Sequence, residues 1–305
     1  MAPRRQREHR DRSRIQRAAI TAWRATAPWI TDAQVEQDLV LSRAIVEVFS
    51  DPTLVSEIVF RGGTALHKLV LTPAARYSED IDLVQAAPGP IGPVMAALRA
   101  RLDAWLGKPK REQKEGSVRF VYRFQSQVPP ITPLRLKVEI NTREQFSVLG
   151  LVRKKFAVDS PSFSGQTQVV TYAPEELLGT KLRALYQRKK GRDLFDMATS
   201  LRRLPGLDAA KVVDCFTRYL DHTGKRVSRA EYEANIAGKL DDPAFTADIR
   251  PLLARGRAFD SDDATYDAGR LAHDASEEFD AVHAWADVHR AFITLLPGEP
   301  WKRPK

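Results

Sequence analysis

The chain has 305 residues, of which 43% are hydrophobic and 29% charged, and its formal net charge is +9. Such numbers are typical of a globular protein with one large domain or two modest ones. The single cysteine, Cys215, excludes an internal disulfide and a cysteine-rich zinc site. Neither a membrane-spanning apolar run nor a secretory signal is found, so we expect a cytoplasmic protein without membrane association.

The positive charge favours a polyanionic partner, because each neutralised phosphate releases a condensed counterion. A surplus of surface arginine is the alternative. Residues 1–12 are rich in arginine and are predicted to form a flexible basic arm, with helix beginning near Ser13. Residues 260–287 are rich in Asp and Glu.

The first elements after the arm alternate between helix and strand. Apolar residues recur at three- and four-residue spacing over residues 32–48, which predicts a helix with Asp32 as its N-cap. Residues 58–60 read as a short buried strand. A helix over 64–71 and a second strand over 81–84 follow.

The middle of the chain predicts a helix over 94–106 and a charged loop over 108–116. Further strands are expected at 118–124, 134–140, 152–158 and 168–172. Nearly everything after Pro174 has a helical pattern. The fold class is therefore predicted as α+β, with a mixed α/β domain over residues 13–172 and a helical domain over 173–305.

Asp80 and Asp82 occupy alternate positions of an apolar run. Because side chains alternate across a strand, the two carboxylates point the same way. Aspartate is disfavoured in strands, so the pair requires a reason. Paired carboxylates that hold divalent metal can activate a hydroxyl and stabilise leaving pyrophosphate. The alternative is the polar solvent face of an edge strand.

A glycine turn, Gly62-Gly63-Thr64, precedes the acidic pair by one short predicted helix. Glycines allow a phosphate to approach the backbone, and the N-terminus of a helix directs free N–H groups at that anion. The Thr64 hydroxyl adds a donor. Lys68 lies one turn later on the same face, where it could reach a phosphate. An ordinary strand-to-helix connection is the alternative for this turn alone.

Three later residues complete the candidate site. Alternation over 134–141 puts Glu139 on the polar face of a strand, as a further metal ligand or a general base, or as part of a solvated face. Lys181 lies two turns into a helix that begins at Pro174. It is either a surface lysine lying along apolar neighbours or a contact to a triphosphate, with Asp196 on the next helix orienting it or binding the base or sugar.

In their order and spacing these motifs resemble the AbiEii/AbiGii toxin family of nucleotidyltransferases, which lies in the DNA polymerase beta-like superfamily and includes the MenT toxins. The resemblance covers the N-terminal two-thirds of the chain. The matching stretches are residues 60–68, 76–83, 137–141 and 174–196. Fold and activity are accordingly expected to be those of a nucleotidyltransferase, with the helical domain completing the active site.

The resemblance also implies roles for single residues. The turn, here Gly63 and Thr64, holds the phosphates of an NTP, and Asp80 and Asp82 bind Mg²⁺, or Mn²⁺ in its place. Lys181 and Asp196 complete the site, whereas Glu139 as third acid depends on a short strand motif. Thr64 stands where many members have serine. Some relatives are controlled through a serine beside the acidic pair, a place that Ser78 occupies, and modification there would put negative charge where metal and phosphate bind.

The family's activity implies transfer of a nucleoside monophosphate from an NTP to an RNA acceptor, for several members the 3′ end of tRNA, by the toxin of a toxin–antitoxin system. A protein hydroxyl or a small molecule such as an aminoglycoside is the alternative acceptor. A catalytically idle nucleic-acid-binding relative is the alternative from another class. An antitoxin encoded nearby is expected, and the chain is expected to be a monomer.

Overall fold

The computed structural model describes residues 15–253 and 279–302, in two compact units. The first unit contains the described residues up to Leu69, Tyr77–Phe146 and Leu151–Thr171. The second contains Val70–Arg76, Ser147–Gly150 and the described residues from Tyr172 onward. The predicted basic arm and most of the acidic stretch over 260–287 lie outside the described residues.

Five helices are found among the described residues of the first unit. They are α1 (Arg17–Trp23), α2 (Asp32–Phe49), α3 (Pro52–Glu57), α4 (Gly62–Leu69) and α5 (Gly92–Leu106). Helix α2 begins at Asp32 itself, because its N-cap is Thr31. A helix capped by Asp32 would begin one residue later. The Thr31 hydroxyl accepts the amide hydrogen of Gln34, and the Gln34 side chain accepts the Thr31 amide hydrogen. The prediction of Asp32 as N-cap is therefore wrong.

A seven-stranded mixed sheet forms the centre of the first unit. Its strands are β1 (Ile58–Arg61), β2 (Asp80–Gln85), β3 (Lys110–Lys114), β4 (Ser117–Gln125), β5 (Pro133–Asn141), β6 (Leu151–Ser160) and β7 (Phe163–Tyr172). Their order is β3-β4-β5-β2-β1-β7-β6. β2 pairs antiparallel with β1 and parallel with β5. The predicted α+β class is confirmed.

The prediction of a loop over residues 108–116 is wrong. Strand β3 lies within them and pairs antiparallel with β4. Its sequence, Lys-Arg-Glu-Gln-Lys, has no apolar residue and no alternating pattern, so nothing in it predicts a strand. A charged edge strand discourages pairing with other chains, which explains why such a sequence is acceptable at the edge of the sheet.

The second unit is helical. Its helices are α6 (Pro174–Gln187), α7 (Gly191–Arg203), α8 (Ala209–Asp221), α9 (Arg229–Leu240), α10 (Pro243–Ala247) and α11 (Ala281–Ala291). Helices α6 and α8 pack at close range at Gly179, where an added Cβ atom would lie 2.5 Å from the Cβ atom of Cys215. No described helix meets the length and apolarity that a membrane span requires.

A buried carboxylate, Glu176, fixes the segment Ser147–Gly150 to the second unit. It accepts hydrogen bonds from the Ser147 hydroxyl (2.8 Å), the backbone N–H groups of Val148 (2.8 Å) and Leu149 (2.9 Å), and the Tyr219 hydroxyl (2.9 Å). Its side chain is fully buried, so these four donors replace the water that an ionised carboxylate loses on folding.

Asp248 gives the second unit a pH-dependent contribution to stability. Burial opposes its ionisation, but hydrogen bonds and charge from Arg192, with the charge of Lys190, outweigh burial and lower its pKa from 3.8 to about 2. A carboxyl whose pKa is lowered on folding stabilises the protein above the unfolded pKa, and that contribution is lost as the pH falls towards the folded value. The window here is therefore pH 3.8 to about 2.

We expect Asp248→Asn to lower the free energy of unfolding by about 2 kcal/mol at pH 7 and by clearly less at pH 3, since one pKa unit corresponds to about 1.4 kcal/mol. Urea unfolding at both pH values measures this. Asp214→Asn, which removes the exposed partner of Arg218, is the matched control and should have little effect at either pH. Equal losses at both pH values for Asp248→Asn would contradict the role of its ionisation.

Candidate active site

The register of two neighbouring strands brings the glycine turn beside the acidic pair. Arg61, the last residue of β1, is paired with Asp82 of β2, so Gly62 follows directly beside the Asp82 side chain. Gly62 has φ +81°, and an added Cβ atom would lie 2.5 Å from Oδ2 of Asp82. Both facts require glycine at this position, because other residues adopt positive φ at a cost and would displace the carboxylate.

Thr64 joins the turn to the start of β2. Its hydroxyl donates a hydrogen bond to the backbone carbonyl of Asp80 and lies 2.7 Å from the Ser78 hydroxyl. Because the only proton of Thr64 is already donated to Asp80, Ser78 is the donor to Thr64. The structure thus brings Gly62, Thr64, Ser78 and Asp80 together. The hydroxyl proton of Thr64 is, however, donated to the Asp80 backbone carbonyl, and so it is not available for a phosphate.

The two aspartates of β2 differ in their partners. Asp80 forms an ion pair with Lys137 of β5, at 2.7 Å. No hydrogen bond or ion pair to the Asp82 carboxylate is found among the residues that the structure describes. Burial, and next the negative charge of Asp80, raise the pKa of Asp82, against the opposing charges of Lys137 and Arg61. Asp82 is therefore an acid short of a counter-charge.

Glu139 lies on the same face of the sheet, in register with Asp82. Its carboxylate pairs with Arg119 at 2.9 Å and with Lys137 at 3.8 Å. The described ranges contain no cluster of three or more acidic, histidine or cysteine side chains arranged to hold a metal ion. Glu139 as a third metal ligand, or as a general base, stays a prediction.

A divalent metal fits the remaining pair. Mg²⁺ is commonly held in proteins by one or two carboxylates together with substrate phosphates and water. Asp80 and Asp82 supply two carboxylates on one face, one of them without a hydrogen-bond donor in the described part of the chain. A bound cation would supply the positive charge that Asp82 lacks, and would lower the repulsion between the two acids.

Lys68 is committed to a buried carboxylate on α2. Its ammonium lies 2.7 and 2.8 Å from the two oxygens of Asp38. The same carboxylate accepts the indole N–H groups of Trp23, at 2.8 Å, and Trp29, at 2.9 Å. Asp38 is only 1% exposed. Phosphate binding by Lys68 stays a prediction, and its present contacts fix α4 against α2.

Lys181 and Asp196 belong to the second unit and pair with each other at 2.9 Å. Lys181 also contacts Asp193, at 3.0 Å. Arg76 donates two hydrogen bonds, of 2.6 and 2.8 Å, to the Asp196 carboxylate. Lys181, Asp193, Asp196 and Arg76 are all buried, so their opposite charges compensate each other within the cluster.

Arg192 and Asp193, neighbours at the start of α7, take part in two separate ion-pair groups. Arg192 bonds Asp248 at 2.8 and 2.9 Å. Asp193 accepts from Arg188 at 2.6 and 2.8 Å as well as from Lys181. Burial opposes the ionisation of Asp193, but these cations outweigh it and lower its pKa.

Several side chains that contact the predicted site residues have no role predicted from the sequence. Lys137 could have been found from its position two residues before Glu139, on the same strand face. Arg76 lies within the motif around the acidic pair, but nothing in the sequence indicates Asp196 as its partner. Asp38 lies outside the matching stretches and contacts Lys68 across 30 residues of sequence. Arg119, on β4, pairs with Glu139 across the sheet.

The pair between Asp38 and Lys68 gives a prediction on stability. We expect Asp38→Asn to lower the free energy of unfolding by about 3–5 kcal/mol, because it leaves a largely buried ammonium without its counter-charge. The double variant Asp38→Asn, Lys68→Met should lose less than the sum of the two single variants. Urea unfolding of all four proteins measures the coupling, and strict additivity would show that the pair does not act as a unit.

Comparisons with known proteins bear on this arrangement. The chain resembles two solved structures: MenT4, a nucleotidyltransferase toxin from Mycobacterium tuberculosis H37Rv, at 16% identity, and an antigenic nucleotidyltransferase-like protein from Paracoccidioides brasiliensis, at 17%. The first alignment covers 93% of this chain and 100% of the other, with a TM-score of 0.47. The second covers 66% and 92%, with a TM-score of 0.36.

A comparison with curated protein sequences gave no match. The decisive finding is the match of residues 43–285 to the model of the family described as nucleotidyl transferase AbiEii toxin, type IV toxin–antitoxin system. This match spans most of the chain and includes every predicted site residue. The protein therefore belongs to the AbiEii family of nucleotidyltransferase toxins of type IV toxin–antitoxin systems.

Proposed function

We propose that this nucleotidyltransferase moves a nucleoside monophosphate from an NTP to the 3′ end of an RNA, most simply a tRNA, in a reaction that requires Mg²⁺. The observation that supports it most is the close approach of Gly62 to Asp82, which puts the glycine turn at the start of α4 against the acidic pair. The net charge of +9 favours RNA over an uncharged acceptor.

In this proposal the site residues of the first unit have separate roles. Gly62 and Gly63 leave room for the phosphates at the N-terminus of α4, where free N–H groups favour an anion. Asp80 and Asp82 would hold Mg²⁺, which supplies positive charge to the phosphates and to the leaving pyrophosphate. Lys137 offsets the charge of Asp80, and Thr64 with Ser78 keeps the turn in place against β2.

We also propose that the helical region contributes Lys181 and Asp196 to the reaction, as the family resemblance implies. Their pairing with each other supports the part of this prediction in which Asp196 orients the lysine. The family implies an antitoxin as a partner. NTPs and tRNA are cytoplasmic, so the proposal places the reaction in the cytoplasm.

The direct test is incubation of the protein with labelled NTPs, Mg²⁺ and total RNA. We expect label in RNA with the wild-type protein, and a loss of at least about 100-fold with Asp80→Ala, since charge stabilisation of this kind is commonly worth that much. Asp214→Asn serves as the control with an acid removed elsewhere. Label in protein or in a small molecule instead of RNA would contradict the acceptor, and full activity of Asp80→Ala would contradict the site.

Gly62→Ala should impair transfer through backbone strain and displacement of Asp82. We expect the free energy of unfolding to fall by only about 1–2 kcal/mol. The rate of transfer should fall strongly, although the protein stays folded. Gly92→Ala is the matched control, because no heavy atom lies within 4 Å of an added Cβ atom there. Wild-type transfer rates for Gly62→Ala would show that the close approach of the turn to Asp82 is not needed.

A further inference from the structure

Two arginines face each other at the end of strands β4 and β5. Arg123 and Arg135 are directly paired in the antiparallel register, so their side chains lie on the same face of the sheet. Like charges at opposed positions destabilise a sheet. Arg135 has a distant carboxylate partner, Glu79, at 3.6 Å. Arg123 has no ion-pair partner within the described ranges, and both arginines are exposed.

The arginines line an open groove of about 480 Å³. This volume lies in the range of sites that take nucleotide-sized molecules. The groove is also lined by Phe124, Gln125 and Gln37. Guanidinium groups bind phosphates by paired hydrogen bonds, aromatic rings stack on bases, and amides bond to base edges. Guanidinium and amide groups are therefore both present, whereas the ring of Phe124, which alternates with Arg123 along β4, points to the face opposite the arginines.

Gln37 is the most informative of the lining residues. It is only 4% exposed, and its amide nitrogen donates to the backbone carbonyl of Arg135, at 2.7 Å. Its amide oxygen has no hydrogen-bond donor in the part of the chain that the structure describes. This oxygen is not among the enclosed polar atoms that lack a partner in the described residues, so it is open to the groove, where it can accept a hydrogen bond from a ligand.

The groove begins next to the proposed catalytic pair. Arg135 lies two residues before Lys137, the partner of Asp80, on the same strand face. Two residues along a strand span about 7 Å. A nucleotide in the groove would therefore lie close to Asp80, and not on it, as expected of an acceptor strand that approaches the site from the side.

We propose that this groove binds the acceptor RNA as a single strand, with a phosphodiester between Arg123 and Arg135 and a base near Gln37 and Gln125. The inference rests on the proposed function, because it assigns the second substrate of the same site. The negative charge of Glu79 opposes RNA binding, and the ion pair of Glu79 with Arg135 partly offsets that charge.

The test measures the binding of a fluorescently labelled single-stranded RNA oligonucleotide, as a function of salt, by anisotropy. We expect Arg123→Ala and Arg135→Ala each to weaken RNA binding about 10-fold, and the slope of log K against log salt to fall by about 0.7 for each arginine. Arg218→Ala, which removes an exposed arginine of α8, should leave both quantities unchanged. Unfolding in urea should show that neither groove variant is destabilised, since opposed like charges are relieved.

Binding of a non-hydrolysable NTP to the same variants separates the two substrates. We expect it to remain at the wild-type level. Unchanged RNA binding in both groove variants, or loss of NTP binding in place of RNA binding, would overturn the inference. If the wild-type protein transfers no label to RNA while the groove variants still weaken RNA binding, the proposed reaction fails and the groove as an RNA site stands.

Discussion

The antiparallel pairing of β1 with β2 is the constraint on which the rest of the site depends. It puts Arg61 opposite Asp82, so that the chain turns at Gly62 beside the acidic pair. A slip of one residue in this register would move Asp80 and Asp82 to the other face of the sheet. Since Ile81 and Leu83 are buried, the hydrophobic core itself opposes such a slip. The position of the site is thus fixed by packing rather than by the polar residues.

Compensation of charge distinguishes the acids around this turn. Asp38 forms an ion pair with Lys68 and accepts hydrogen bonds from two indole groups. Asp80 forms an ion pair with Lys137, and Glu139 with Arg119. Asp82 alone among these four lacks an ion pair in the described residues. A structural acid must be compensated when it is buried, whereas an acid that binds a cation during the reaction is left for that cation. The contrast supports the proposal that Asp82 is the acid that would hold a metal, whereas the contacts of Asp38 make it part of the scaffold.

The local elements were largely predictable from the sequence, because apolar periodicity reports which side of an element is buried. The strands around Leu136 and Ile81 and the helix α2 follow from it. Strand β3 does not, because an edge strand needs no buried face. The partners Asp38 and Arg76 could not be predicted either, since an ion pair across 30 or 120 residues of sequence depends on the tertiary fold. The roles of Lys181 and Asp196 are predicted from family resemblance alone, whereas the structure shows their ion pair with each other and their contacts with Asp193 and Arg76.

Binding of Mn²⁺ to the acidic pair tests the central claim most directly. Electron paramagnetic resonance can count bound Mn²⁺ in the presence of a non-hydrolysable NTP, without any turnover and without RNA. We expect the wild-type protein to bind Mn²⁺ together with the nucleotide, and Asp82→Asn to lose that binding while it remains folded. Equal Mn²⁺ binding by both proteins would contradict the assignment of Asp80 and Asp82 as the metal-holding pair of this nucleotidyltransferase.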